Sequence, residues 1–409
     1  MIKFPKIITR HRLSSTFRFI ILALLMTVMG GCAKTRTTLP PELFRDSKVL
    51  GMTGVRTWAF EHSPIFEEDL IASVKQAQRY SSTRHVDASG HFNILALSGG
   101  GANGAFGAGI LCGWSAAGSR PTFKIVTGIS TGALIAPFAF AGADYDQILK
   151  QVYTSVETKD IVSFRFSTYT RRGVDSLADS SPLQGLIEKT VTDDVIRSVA
   201  RAHQTGRRLY IGTTDLDAGR LVIWNMGVLA ASDRPETFDL FRKILLASAS
   251  IPIIFPPVYI PVEVGGEIYE EMHVDGGVAT QVFFYGDTMN FDDAVRAAGL
   301  SSIGAGRIYI IQNMQSIPLF EPVKSNLVAI SIKTIMGLLA NQGNGDLYRI
   351  YTVAQREGIK FKLVFIPSDF ELQPSEIFDP VVMEKLFDLG YNMALSGDPW
   401  QNHPPGYKD

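Results

Sequence analysis

An apolar run breaks into glycine at "FNILALSGGGANGAFGAGILCGW", Phe92 to Trp114, and no other stretch restricts the fold as much. Ile94–Leu97 is continuously apolar and reads as a strand buried on both faces. Three consecutive glycines then interrupt regular structure, and small residues from about Gly104 to Ala117 resume at helical spacing. A buried strand, a glycine loop and a helix in that order make a βα unit. Such a unit needs a parallel neighbour strand and helices to cover the sheet.

The rest of the chain keeps that rhythm. Further strands are predicted at Phe123–Val126, Leu209–Thr214, Leu221–Trp224, Arg307–Gln312 and Phe361–Ile366, with a short one in "GVRTWAF". Helical patterns cover Pro64–Tyr80, Thr131–Ala141, Ser181–Thr192, Phe238–Ala249, Asn326–Ala340, Asp346–Glu357 and Asp379–Leu395. No internal repeat or linker divides residues 50–400. The expectation is one α/β domain over 49–409, with a mostly parallel central sheet flanked by helices. At 409 residues and 46% hydrophobic content the chain can bury one large core.

Gly99-Gly100-Gly101-Ala102-Asn103-Gly104 also satisfies G-x-G-x-x-G, the dinucleotide fingerprint. That pocket needs an acidic residue about 20 positions on to hold the ribose hydroxyls. Here Ala88 to Ala143 contains neither Asp nor Glu. A phosphate-binding P-loop needs Lys after its last glycine, and Ala105 stands there. Both nucleotide readings fail on their second requirement.

The next strand instead runs into Thr127-Gly128-Ile129-Ser130-Thr131-Gly132, a G-x-S-x-G between an apolar strand and an apolar helix. This is the setting of a nucleophile elbow, where glycines flank the serine because side chains there would collide. The following helix points its positive end at Ser130. Successive amides at Gly99, Gly100 and Gly101 can form a nest for the oxyanion that develops in acyl transfer. The loop would then bind negative charge, but a transient one.

A base must accompany the serine. Of seven histidines, His203 reads as a helix-terminal surface residue, while His273 shares a strand face with Asp275 in "EMHVDGGVATQVF". Asp275-Gly276-Gly277 reads either as a turn whose Asp bonds its own backbone or as a carboxylate aimed into a cleft. His403, in "NHPPGYKD", would complete a Ser130, Asp275, His403 triad in the chain order of α/β-hydrolases. Asp215-Leu216-Asp217-Ala218-Gly219 superficially suggests a calcium loop, but Met226 occupies the position where its Glu should stand. It reads as a hairpin turn. The apolar run Ile251–Val264 reads as a buried strand with a proline turn.

The trio G-G-G-x-x-G, G-x-S-x-G and D-G-G, in that order, resembles the patatin-like phospholipases, as do "ILLASASIPIIFPPVYI" and "GTTDLDAGRLVIWN". The similarity runs from about Asn93 to Phe283. It implies a patatin-like three-layer sandwich and a Ser-Asp dyad of Ser130 and Asp275 without histidine. Gly99, Gly100 and Gly101 would be the oxyanion donors. It also implies lipid-ester hydrolysis with no metal and no cofactor. Asn103 departs from the Arg or Lys common in plant-type members. Two other readings stand beside this one: a carboxylesterase using His403, and a non-catalytic lipid-binding envelope lipoprotein.

The first 31 residues carry Lys3, Lys6, Arg10, Arg12 and Arg18 and no acid, followed by an apolar run from Phe19 to Met29. An eleven-residue run with ten apolar residues is too short for a span, which takes roughly 20, and fits the core of a secretory signal. Met29-Gly30-Gly31-Cys32 resembles a bacterial lipobox with Cys32 as the lipidated residue, and Ala33 points by resemblance to the outer membrane. The expected division is a signal at 1–31, a polar tether at 32–48 and the hydrolase domain beyond. Removing the signal takes the formal charge from −1 to −6, which offers nucleic acid no attraction. With Cys32 lipidated, Cys112 is alone and reads as a small core residue.

Overall fold

In a computed structural model, residues 36–84, 92–164, 175–284, 296, 297, 299, 306–317, 320, 322–371 and 374–407 are described. Residues 37–165 and 175–409 form one compact unit, which holds every element named below. Nine of its described strands form one sheet: β1 (Arg56–Trp58), β2 (Asn93–Leu97), β3 (Ile125–Gly128), β4 (Arg208–Asp215), β5 (Arg220–Asn225), β6 (Val258–Val264), β7 (Glu267–Asp275), β8 (Arg307–Gln315) and β9 (Lys360–Ile366). Their order is β1-β5-β4-β3-β2-β8-β9, and the β6–β7 hairpin attaches to the far half of β4. Strands β4, β3, β2, β8 and β9 run parallel, while β5 and β1 add an antiparallel edge. All five residues of β2 are buried, as its unbroken apolar sequence requires.

The longer described helices are α1 (Pro64–Arg84), α2 (Gly104–Ala116), α3 (Thr131–Ala141), α4 (Asp146–Ser155), α5 (Ser181–Thr190), α6 (Asp193–Gln204), α7 (Pro235–Ser248), α8 (Leu327–Arg356) and α9 (Pro380–Leu395). The core has two parts, one on each face of the sheet. Phe106, Ile135, Phe140, Phe241 and Leu386 lie in the first, from α2, α3, α7 and α9. Phe66 and Leu70 of α1 and Leu347 and Ile350 of α8 pack with Ile94, Ile308 and Leu363 in the second. The sheet is thus sandwiched between helical layers, as the resemblance implied.

Half of the glycine signal at Phe92–Trp114 proves to be packing. A methyl group built at Gly109 or Gly113 would strike the backbone of Phe387 or Tyr391, and one at Gly390 would strike that of Phe106. Helices α2 and α9 therefore approach backbone to backbone, which no larger side chain allows. The chain leaves β2 toward β3 on one side and places β8 on the other. That reversal opens a crevice outside the carboxyl ends of the parallel strands, where open α/β sheets bind ligands.

Three expectations change. The two helices predicted across Asn326–Glu357 are one 30-residue helix, α8. The helix runs unbroken through Gly343, which packs beside Gln281, Gln312 and Met314. The tether was expected to extend to residue 48. Phe44 instead stacks on Trp58 at 4.3 Å, and Lys48 exchanges backbone hydrogen bonds of 2.9 Å with Glu263, so residues 37–48 are part of the folded unit. Finally, Ile251–Val264 is a turn segment leading into β6, an exposed-edge hairpin strand with alternating burial. The signal segment and Cys32 lie outside the described residues.

Candidate active site

Ser130 sits between β3 and α3 with φ 54° and ψ −125°, a conformation that a non-glycine residue adopts only under constraint. The constraint is visible. A methyl group at Gly128 would lie 2.5 Å from the Gly132 carbonyl oxygen, and one at Gly132 would lie 2.6 Å from that of Ser98. The Ser130 amide donates to Ser248 Oγ at 3.0 Å, and Ser248 in turn donates to the Gly212 carbonyl at 2.7 Å. The elbow is thereby tied to β4. Ser130 is N-cap of α3 and nearly buried, with the positive end of that helix beneath it.

Asp275 ends β7, opposite Thr213 of β4. Its Oδ1 accepts the Gly277 amide at 2.7 Å, the short-turn bond the sequence allowed. Its Oδ2 is buried without a hydrogen-bond partner among the described residues. Burial pushes the carboxyl up to about 7, while the Ser130 hydroxyl and the Gly277 amide pull it back. The serine is thus the side chain that favours the ionised carboxyl, although the two form no bond within 3.5 Å. No imidazole contributes.

The glycine loop is held from β8, which the sequence reading missed. Asn313 donates its amide nitrogen to Ser98 Oγ (2.8 Å) and its Nδ2 to the Ser98 carbonyl (2.9 Å). It also accepts the Gly107 amide at 3.0 Å. A methyl group at Gly100 would lie 2.6 Å from Asn313 Cβ, so the second glycine is there for that approach. The available signal was a Gln312-Asn313 pair directly after the apolar run Ile308–Ile311 in one strand.

Gln281 is the second missed residue. Its carbonyl accepts the Gly99 amide at 3.1 Å, and its own amide donates to Asp346 of α8 at 2.7 Å. Gly99 therefore departs from its expected part, because its N–H is already used. Gly100 and Gly101 are left with amides that have no protein partner among the described residues.

From Gly101, Ser130 and Thr131 an apolar cavity of about 80 Å³ runs between α3, α4 and α5. Leu134, Phe138, Val152, Leu183, Ile187 and Phe255 are among its walls. Its lining is that of a ligand site, predominantly apolar side chains with a few polar groups.

The other candidates are engaged elsewhere. His273 Nδ1 pairs with Thr213 Oγ1 at 2.9 Å and Nε2 with Glu271 at 3.1 Å, inside a buried cluster that includes the Arg56–Glu271 ion pair. His403 stacks on Tyr407 and edges Tyr351, so the triad alternative gains no geometry. His203 is buried, not a surface residue, and burial pushes it down to about 4. Asp215 caps the β4–β5 turn by accepting the Asp217 and Ala218 amides, the hairpin role expected of it. Cys112 is buried, and its thiol is pushed up to about 12.

Among curated proteins the chain is similar to Patatin group M-1 and Patatin-14 of Solanum tuberosum. Each is 28% identical over 165 residues, which is 39% of this chain and 39% of the relative. Patatin-12 of the same plant is 38% identical over 81 residues, 20% of each chain. The match thus spans about two fifths of the length of the first two relatives. Among solved structures, VipD from Legionella pneumophila aligns at a TM-score of 0.35 and 10% identity, over 75% of this chain and 67% of that one. The type III effector protein ExoU aligns at 0.33 and 12%, over 75% and 53%. Residues 95–285, from the strand before the glycine loop to just past the Asp275 turn, match the family model described as patatin-like phospholipase.

Proposed function

We propose that the chain is a serine hydrolase of lipid acyl esters, with Ser130 as nucleophile and Asp275 as its base. The observation that carries this is the pairing of a serine in a constrained elbow with a buried carboxyl held near 7, at the mouth of an apolar cavity. A base near the working pH is ionised often enough to accept a proton and weak enough to return it.

In the reading we favour, the Ser130 hydroxyl attacks the ester carbonyl carbon and its proton passes to Asp275. The tetrahedral oxyanion takes hydrogen bonds from the Gly100 and Gly101 amides. When the intermediate collapses, the C–O bond to the alcohol breaks and Asp275 returns the proton to the leaving oxygen. Water, deprotonated by the same carboxylate, then attacks the acyl-enzyme. Fatty acid leaves and Ser130 regains its hydrogen. The cavity takes the acyl chain, which supports phospholipids or related lipid esters as the substrate class. No cofactor or metal enters these steps. The N-terminal basic and apolar segments ending in Cys32 support a lipid-anchored position in a bacterial envelope, and the outer membrane is our reading of it.

Fatty acid released from phospholipid vesicles is the measurement. Full-length protein should turn over, and Ser130→Ala should fall to background. A fluorophosphonate should label the wild type at Ser130. Wild-type-like release from Ser130→Ala would refute the assignment, and absence of labelling on folded protein would favour lipid binding without catalysis.

A further inference from the structure

Helix α8 is longer than the sheet it covers. Its thirty residues span about 45 Å, whereas the seven residues of β9 beneath it span about 23 Å. The excess lies at one end. Around residue 343 the helix crosses the carboxyl edge of the strands: Gln342 reaches the Ala279 carbonyl, Asn344 donates to that of Ser316 at 3.0 Å, and Asp346 holds Gln281. The chain after α8 turns back into β9 at the opposite edge. Everything before Gln342 therefore projects past the same sheet edge that carries Ser130, Asp275 and the glycine loop.

That projection is apolar and exposed over much of its surface, although Leu339 is buried and Ile332 and Ile335 are half-buried. Leu327 is 80% exposed and Leu338 is 64% exposed, and Val328, Ile330 and Met336 are exposed between them. Phe320, on the approach to the helix, is 94% exposed. At 100° per residue, the apolar positions from Leu327 to Leu338 spread over roughly two-thirds of the circumference, and Lys333 falls opposite the middle of that arc. One stripe would suit a groove on a second copy or another protein. A broad, mostly apolar arc, interrupted by Ser331 and Thr334 and with a lysine on the far side, suits a helix half-sunk in hydrocarbon. Between Pro322 and Gly345 the charged residues are Lys324 and Lys333, with no acid, in a chain whose total charge is −1. The segment is thus a basic, apolar exception on an otherwise mildly acidic protein, complementary to an anionic lipid surface.

We propose that the first half of α8, together with the approach at Phe320, docks the catalytic edge onto a lipid bilayer independently of any N-terminal anchor. This rests on the hydrolase reading for its purpose, since a long-chain ester must pass from bilayer to cavity without crossing water. No described helix is long and apolar enough to cross a membrane, so α8 would lie in the interface.

An environment-sensitive dye on Leu338→Cys, in full-length protein carrying Cys32→Ser, reads the contact directly. Vesicles containing phosphatidylglycerol should shift its emission to the blue, and spin-labelled lipids should quench it. The same dye on Lys360→Cys, exposed at the opposite sheet edge, should not respond. Leu327→Glu with Leu338→Glu should lower the fraction bound and the vesicle hydrolysis about tenfold or more. Turnover of a soluble short-chain ester should stay within about twofold of wild type if only docking is lost. An unshifted dye on vesicle-bound protein overturns the proposal, and so does a shift that grows with protein concentration without vesicles, which would mean a second copy. A dye that inserts while wild type hydrolyses neither ester would leave docking standing and remove the hydrolase reading.

Discussion

Replacing Asp275 by Asn tests the buried carboxyl without emptying its space. The amide oxygen can still accept the Gly277 N–H, so the turn keeps its bond. What disappears is a carboxyl displaced from 3.8 in the unfolded chain to about 7 in the fold, chiefly by burial. Because the folded value is the higher one, the group costs nothing at low pH. Stability falls as pH rises from about 4, where the unfolded chain ionises, to about 7, where the fold does. At 1.36 kcal/mol per pKa unit the full cost at pH 8 is about 4 kcal/mol, of which less than half is present at pH 5. Asp275→Asn should therefore stabilise the protein by about 3 kcal/mol more at pH 8 than at pH 5. Urea unfolding of both proteins at the two pH values gives the difference directly, and other titrating groups cancel. The same protein should lose roughly 10²- to 10⁴-fold in kcat on a lipid ester. The wild-type rate should rise with pH through about 7, as the base ionises. Equal effects of the substitution at both pH values would refute the idea that this carboxyl carries a burial penalty, and with it the inference that it is tuned as a base.

Three further expectations concern the supports of the site. Asn313→Ala removes the two side-chain hydrogen bonds, from Nδ2 to the Ser98 carbonyl and from the Gly107 amide to Oδ1, and leaves the backbone bond to Ser98 Oγ in place. It should cost about 2–3 kcal/mol in stability and slow fluorophosphonate labelling of Ser130 without altering the pH at which labelling is half-maximal. Val152→Trp, placed in the cavity wall, should suppress turnover of long-chain esters while sparing short-chain ones. Equal loss on both would remove the cavity as the acyl site. Gly128→Ala brings a methyl group within 2.5 Å of the Gly132 carbonyl. Its thermal midpoint should drop measurably, since overpacking costs typically 1–3 kcal/mol, and an unchanged midpoint would mean that the elbow can relax.

Local order along the chain was legible because each signal is local. Short apolar runs bounded by turn residues favour buried strands and 3.6-residue spacing favours helix, so six central strands and the helices beside them are readable from residue types alone, whereas Ile251–Val264 misled. Gly128, Ser130 and Gly132 are readable for the same reason, since the elbow is made by neighbours in sequence. What the tertiary structure decided is everything set by distant partners. Whether Asp275 is a turn residue or a base depends on burial beside a serine 145 positions away, and a carboxyl near 7 has no sequence signature. Asn313, Gln281 and Asp346 are ordinary polar residues until β8 and α8 bring them to the glycine loop. The loop itself is the clearest case. Its glycines marked it for close approach, but only the packed strands show which amide is spent on Gln281 and which remain to meet a ligand. Hydrogen bonds are saturable, so what an N–H can do is fixed by what has already claimed it.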